Sequence, residues 1–163
     1  MEYTHLYISP LGGITLSCDG DALTGLWFDG QRHFAETLSP SHEERFLPVF
    51  GNAERWLDLY FSGKIPDFTP PLRPRGTAFR RAVWDVLLTI PCGRTVTYAH
   101  VARLLGSSAR AVGGAAARNP ISLIIPCHRV LGADRSLTGY AGGTERKRAL
   151  LTLEDAADGF VNN

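Results

Sequence analysis

Residues 124–130 read IIPCHRV, a cysteine set between a proline and a histidine–arginine pair. Pro126 restricts the backbone just ahead of the thiol. His128 and Arg129 are polar groups that a purely structural cysteine does not need, and both favour a thiolate. A free thiol, with a pKa of ~8.5, is a poor nucleophile at neutral pH and needs a base or positive charge beside it. Neighbouring side chains point apart, so His128 is expected to reach Cys127 through a water. A histidine used in this way needs a third group to fix its tautomer. Glu154, ending a helix expected from Thr144 to about Leu153, is the candidate for that place, and Asp134 competes from GADRS, a turn expected to be exposed. The bland alternative stays open. The preceding ISLII is an apolar run that reads as a buried strand or loop, and most buried cysteines are inert.

Outward from this segment the sequence is helical upstream and glycine-rich downstream. TGYAGG, residues 138–143, has the glycines a loop needs to wrap a ligand closely. Upstream, Phe79, Val83, Val86, Leu87 and Ile90 form an apolar stripe that starts after a capping Thr77 and stops at Pro91. A shorter helix is expected from Tyr98 to Leu105, capped by Thr97, with Val101, Leu104 and Leu105 facing inward. The turn Gly106-Ser107-Ser108 carries its own capping serine and leads into ARAVGGAAAR, Ala109 to Arg118. Helix, short glycine turn, helix is the helix-turn-helix outline, which also occurs outside DNA-binding proteins. Gly113 and Gly114 weaken the last of these helices by roughly 1 kcal/mol each relative to alanine. Tight packing in the core would explain them, and so would close entry into a narrow groove with an arginine reaching inward.

The first third reads as strands, HLYISP, GITLSC and ALTGLWF, separated by Gly-Gly and Asp-Gly-Asp turns. One helix follows, marked by Ala53, Trp56, Leu57, Tyr60 and Phe61. The proline-rich KIPDFTPPLRPRGT is an extended connector, which predicts domains over 1–75 and 76–163. The fold class expected is α/β (α+β) with two domains: a small sheet-plus-helix domain, then a mostly helical one. The net charge of +1 conceals an acidic first part, with six Lys/Arg against ten Asp/Glu through Arg75, and a basic second part, with eleven against six. Four arginines and no acid lie between Cys92 and Cys127, which suits a solvated face or phosphate binding. Three sparse cysteines are neither a disulfide framework nor a zinc pattern and fit a reducing cytosol. No apolar run spans a bilayer and no leader-like start is evident, so a cytoplasmic chain is expected.

IPCHRV, with RAVGGA before it and GYAGG after it, strongly resembles the methylated-DNA–protein-cysteine methyltransferases, which repair alkylated guanine and are consumed in doing so. The likeness is dense from Gly76 to Glu154 and looser before Arg75, where SPLGGITLSCDG and the helix before the linker carry it. It implies that Cys127 attacks the alkyl carbon on the O6 of guanine, with O4 of thymine left open, and keeps the group. It further implies that His128 deprotonates the thiol through a water, with Glu154 orienting the ring. Tyr98 would donate to a ring nitrogen of the departing guanine, and Asn119 would brace the segment entering the site. Arg110 would fill the gap left by a flipped base, and the helix bearing Ala111, Gly114 and Arg118 would lie in the minor groove. Tyr140, Ala141 and Gly142 would close over the base through their backbone. Ala141 stands where some members have serine, and Cys18 lacks companions for the zinc some members bind. No metal, cofactor, membrane or protein partner is expected, and the partner implied is double-stranded DNA containing alkylated guanine.

Three rivals predict different behaviour. A non-catalytic recogniser would have the thiol replaced, which Cys127 argues against. A helix-turn-helix regulator would be indifferent to Cys127→Ala. A cysteine hydrolase using Cys127 and His128 would turn over and gain no lasting mass.

Overall fold

The computed structural model describes residues 1–155, so the segment expected over 76–163 is described as far as Asp155. The chain divides into two compact units, one of Met1–Arg75 with Pro120–Ser122 and one of Gly76–Asn119 with Leu123 onward. Among the described residues no helix is long and apolar enough to cross a membrane.

In the first unit β1 (Glu2–Ser9), β2 (Gly12–Cys18) and β3 (Leu23–Phe28) form an antiparallel meander. β4 (His42–Glu44) joins parallel to β1, giving the order β3-β2-β1-β4. The unpredicted fourth strand is three polar residues, HEE, with no apolar alternation to mark it. β1 also starts earlier than the expected HLYISP, because Glu2 is buried and bonded rather than solvated. Its carboxylate accepts from the Thr24 hydroxyl at 2.5 Å, the Ser39 amide at 2.6 Å and Arg75 at 2.8 Å. β3 is buried along its whole length, and α1 (Pro48–Phe61) buries Phe50, Ala53, Trp56, Leu57 and Tyr60. The run ISLII, expected as a buried strand or loop, is a buried loop divided between the two units. Ile121 bridges to Leu26 of β3, whose amide donates to the Pro120 carbonyl at 2.8 Å, and the chain then turns at Leu123, where φ is +72°.

The second unit comprises α2 (Ala78–Leu87), β5 (Val96–Thr97), α3 (Tyr98–Leu105), α4 (Ala109–Ala117), a one-turn 3-10 helix (Cys127–Arg129), β6 (Val130–Leu131) and α5 (Thr144–Leu153). Thr77, Thr97 and Ser108 each accept a backbone amide three residues on, at 3.1 Å, and so cap α2, α3 and α4. Gly106 ends α3 in the left-handed conformation, with φ +62°. α2 buries Val83, Trp84 and Leu87, while Phe79 stands exposed and Ile90 is buried beyond the helix end. Val83, Leu87 and Ile90 of the expected stripe are buried, and Trp84 joins them in place of Phe79 because the small residues of α4 leave room for an indole. Its Nε1 donates to the Ala115 carbonyl at 2.9 Å. In α3 Val101 and Ala102 are buried, but Leu104 is 61% exposed. Leu104 lies about 100° round the helix from Leu105 and falls off the buried stripe.

Candidate active site

Cys127 opens the 3-10 turn and is 4% exposed. Burial pushes its thiol up, while the Asn119 amide and the charge of Lys147 pull it back. Asn119 Nδ2 donates to Sγ at 3.2 Å and to the Ile125 carbonyl at 2.8 Å. Asn119 therefore touches the sulfur as well as bracing the segment that leads to it. The Cys127 amide donates back to Ile125 at 2.8 Å, which closes the turn.

His128 is fully buried, and its Nε2 lies 2.6 Å from Glu154 Oε2. Arg129 Nε donates to the other carboxylate oxygen at 2.8 Å and its Nη1 to the Ile90 carbonyl at 2.6 Å. Burial opposes ionisation of Glu154, but His128 and Arg129 outweigh it and hold the carboxyl well below the usual carboxylate range. Burial pulls His128 below its ordinary value despite the pull of Glu154. The stable arrangement is then an ionised Glu154 shared between charged Arg129 and a neutral imidazole that donates from Nε2. Nδ1 is left as an acceptor, buried and without a hydrogen-bond partner among the described residues. Asp134 is elsewhere, in an exposed turn where it accepts the Ser136 amide at 3.0 Å.

Tyr98, the first residue of α3, donates its hydroxyl to the Thr138 carbonyl at 3.0 Å. Burial and the neighbouring Cys127 keep that hydroxyl protonated. The loop passes so close to Tyr98 that a Cβ at Gly139, where φ is +82°, would fall 2.8 Å from its oxygen. Tyr140, Ala141 and Gly142 are all buried, and the Tyr140 ring meets His128 edge-on at 6.3 Å between centroids. Lys147 shares the Thr138 carbonyl with Tyr98. It is fully buried, donates to the Val130 carbonyl at 2.5 Å and the Thr138 carbonyl at 3.1 Å, and is pulled down to about 8 by burial. Lys147 is missed from sequence because TERKRALL reads as a charged, solvated run. The available signal is its spacing, since Lys147, Leu150, Leu151 and Glu154 recur at helical intervals and all turn inward.

Arg110, Ala111 and Gly114 share the exposed face of α4, and Arg118 is half-buried at its C-cap. A Cβ on Gly114 would meet nothing within 4 Å, and one on Gly113 would meet only Tyr98, at 4.0 Å. Packing inside the protein therefore does not require either glycine.

Comparison with known proteins shows the family. Residues 3–74 match the family model of the 6-O-methylguanine DNA methyltransferase ribonuclease-like domain, and residues 78–156 match that of its DNA-binding domain. The methylated-DNA–protein-cysteine methyltransferase of Haemophilus influenzae is 43% identical, over 94% of this chain and 86% of its own. The chain belongs to the 6-O-methylguanine DNA methyltransferase family. Among solved structures of the family, the Mycobacterium tuberculosis OGT in complex with DNA is 43% identical, with a TM-score of 0.84 over 94% of this chain and 92% of that one. The O6-methylguanine DNA methyltransferase of Methanococcus jannaschii is 30% identical, with a TM-score of 0.66 over 93% of each chain. In this member of the family the thiol, its amide donor and the histidine–carboxylate–arginine chain all lie within the second unit.

Proposed function

We propose that this chain repairs duplex DNA by moving an alkyl group from O6 of guanine to Sγ of Cys127, once per molecule. The observation that carries the reading is the buried thiol bonded to Asn119, next in sequence to a histidine whose Nε2 is held by Glu154 and whose Nδ1 is left to accept a proton. The thiol proton passes to a water as the water gives a proton to Nδ1. The sulfur attacks the alkyl carbon, the carbon–O6 bond breaks, and its electron pair returns to the guanine ring. Tyr98 leaves the Thr138 carbonyl and donates to a ring nitrogen of the departing base. Lys147 keeps that carbonyl satisfied, and its charge favours the thiolate. A thioether is not hydrolysed, so the protein is consumed.

A base inside the stack cannot present its alkyl group to a buried thiol, so the target nucleotide is flipped out, at a cost of a few kcal/mol. The face of Arg110, Ala111 and Gly114 suits this step. Small residues allow α4 close to the minor groove, and Arg110 enters the gap. α3, its glycine turn and α4 act as the helix-turn-helix, and the backbone of Tyr140, Ala141 and Gly142 covers the base. The second part of the chain is basic and suits phosphate contacts indifferent to sequence, as repair of scattered damage requires. Three free cysteines fit a cytoplasmic location.

Titration of the protein with excess duplex carrying one O6-methylguanine tests the reading. Repair should stop at one methyl group per protein molecule, and Arg110→Ala should slow repair of the duplex more than reaction with free alkylguanine. Continued turnover would instead identify a hydrolase, and no transfer at all a DNA-binding protein without chemistry.

A further inference from the structure

In the second unit two buried side-chain polar atoms have no hydrogen-bond partner among the described residues, Nδ1 of His128, the residue after Cys127, and the hydroxyl of Tyr140. Leaving such groups unpaired in the interior is costly, so each calls for a partner. The two rings are in edge contact, 6.3 Å between centroids. The Tyr140 hydroxyl also feels Cys127, whose charge adds to burial in holding it protonated. It is therefore a permanent donor, on a ring that meets the accepting histidine edge-on and within electrostatic reach of the thiol that must lose a proton.

We propose that Tyr140 is a positioning residue, its hydroxyl donating to the water that links Cys127 to His128. This rests on the relay described above and assigns the Tyr140 side chain a part in it, beyond any backbone contact of its loop. In the relay the water accepts the thiol proton and gives one of its own to Nδ1, which uses one lone pair and one hydrogen. The remaining lone pair is free to accept from Tyr140. A third anchor fixes the water's orientation, so that proton transfer needs no search. The hydroxyl gives up no proton, and no bond to Tyr140 forms or breaks.

The test is the pH dependence of Cys127 alkylation by iodoacetamide, followed by peptide mass so that Cys18 and Cys92 do not contribute. Tyr140→Phe keeps the ring and removes only the oxygen. It should raise the pH of half-maximal reaction by about one unit, slow methyl transfer roughly tenfold and leave duplex affinity unchanged. In a His128→Ala background the same change should add nothing, because the two act through one water. Site-specific 3-fluorotyrosine at position 140, a stronger donor, should lower the midpoint, a sign that a packing role would not give and that holds the test open if Tyr140→Phe folds poorly. Unmoved midpoints in both variants, or a full tenfold loss on top of His128→Ala, would overturn the proposal. Since the unmodified protein is assayed alongside, its failure to accept methyl would count against the repair reading rather than against Tyr140.

Discussion

Among the described residues two buried carboxylates are each clamped by an arginine, yet the two clamps end differently. Glu2 in the first unit is held by Arg75, Thr24 and the Ser39 amide, and Thr24 lies 2.9 Å from Ser17, which closes the network on itself. Glu154 in the second unit is held by Arg129 and His128, and from His128 the chain ends at a buried nitrogen, Nδ1, with no hydrogen-bond partner among the described residues, on the residue next in sequence to the thiol. Both acids resist burial and are nonetheless held ionised by their partners. A closed network of this kind contributes stability and little else, whereas one with an open end can pass a proton. Arg75 also donates to the Thr37 carbonyl at 3.1 Å, while the buried Thr37 hydroxyl has no hydrogen-bond partner among the described residues.

The sharpest way to break the contrast is to cut each clamp and measure both stability and rate. His128→Ala should slow methyl transfer by about 10²-fold or more, as loss of a general base does, while duplex affinity stays close to the unmodified protein's. In the unmodified protein the rate should hold as pH falls through ~6.5, the ordinary histidine midpoint, and drop only below it, because burial keeps His128 neutral. A rate that falls with a midpoint at or above ~6.5 would mean that the imidazole is already charged in the fold.

Glu2→Ala should do the reverse. Loss of hydrogen bonds from a charged acceptor should cost about 2 kcal/mol of stability in urea unfolding, with the transfer rate of the folded protein unchanged. The sign with pH follows from the lowered folded value of Glu2. The stability it contributes is present above the unfolded glutamate value of ~4.3 and is lost as pH falls below it, so the variant should show a shallower acid loss. A rate that falls together with stability would mean that the first unit takes part in the chemistry.

The smallest effect sharpens the same contrast on the outer face. Gly114→Ala should stabilise the free protein by somewhat under 1 kcal/mol, since alanine is the better helix former and its Cβ meets nothing. It should also weaken binding to duplex DNA in a fluorescence titration. Stabilisation without any loss of binding would leave the bare face of α4 with no part in the approach to the groove.

What the residues disclosed in advance was local. The caps at Thr77, Thr97 and Ser108 each involve a partner three residues away, and the glycine turn at Gly106 needs no tertiary context. What stayed hidden depends on distant partners. β4 exists because β1 offers it an edge, and Ile121 leaves the second unit because Leu26 bridges to it. Trp84 outcompetes Phe79 for the interior because α4 provides a carbonyl and space. His128 and Glu154 are 26 positions apart, and nothing local links them, so the need for an acid to orient the histidine named Glu154 as a candidate and only the fold brings the two together. Lys147 was concealed by its charged neighbours, since a lysine is read as solvated until two carbonyls are found waiting for it.

The most direct test of the central claim is the intact mass of the protein after incubation with a duplex bearing one O6-methylguanine. One added methyl group, mapped to the Cys127 peptide and absent in Cys127→Ala, is the result predicted. An unchanged mass with duplex binding intact, or a methyl group mapped to Cys18 or Cys92, would contradict it.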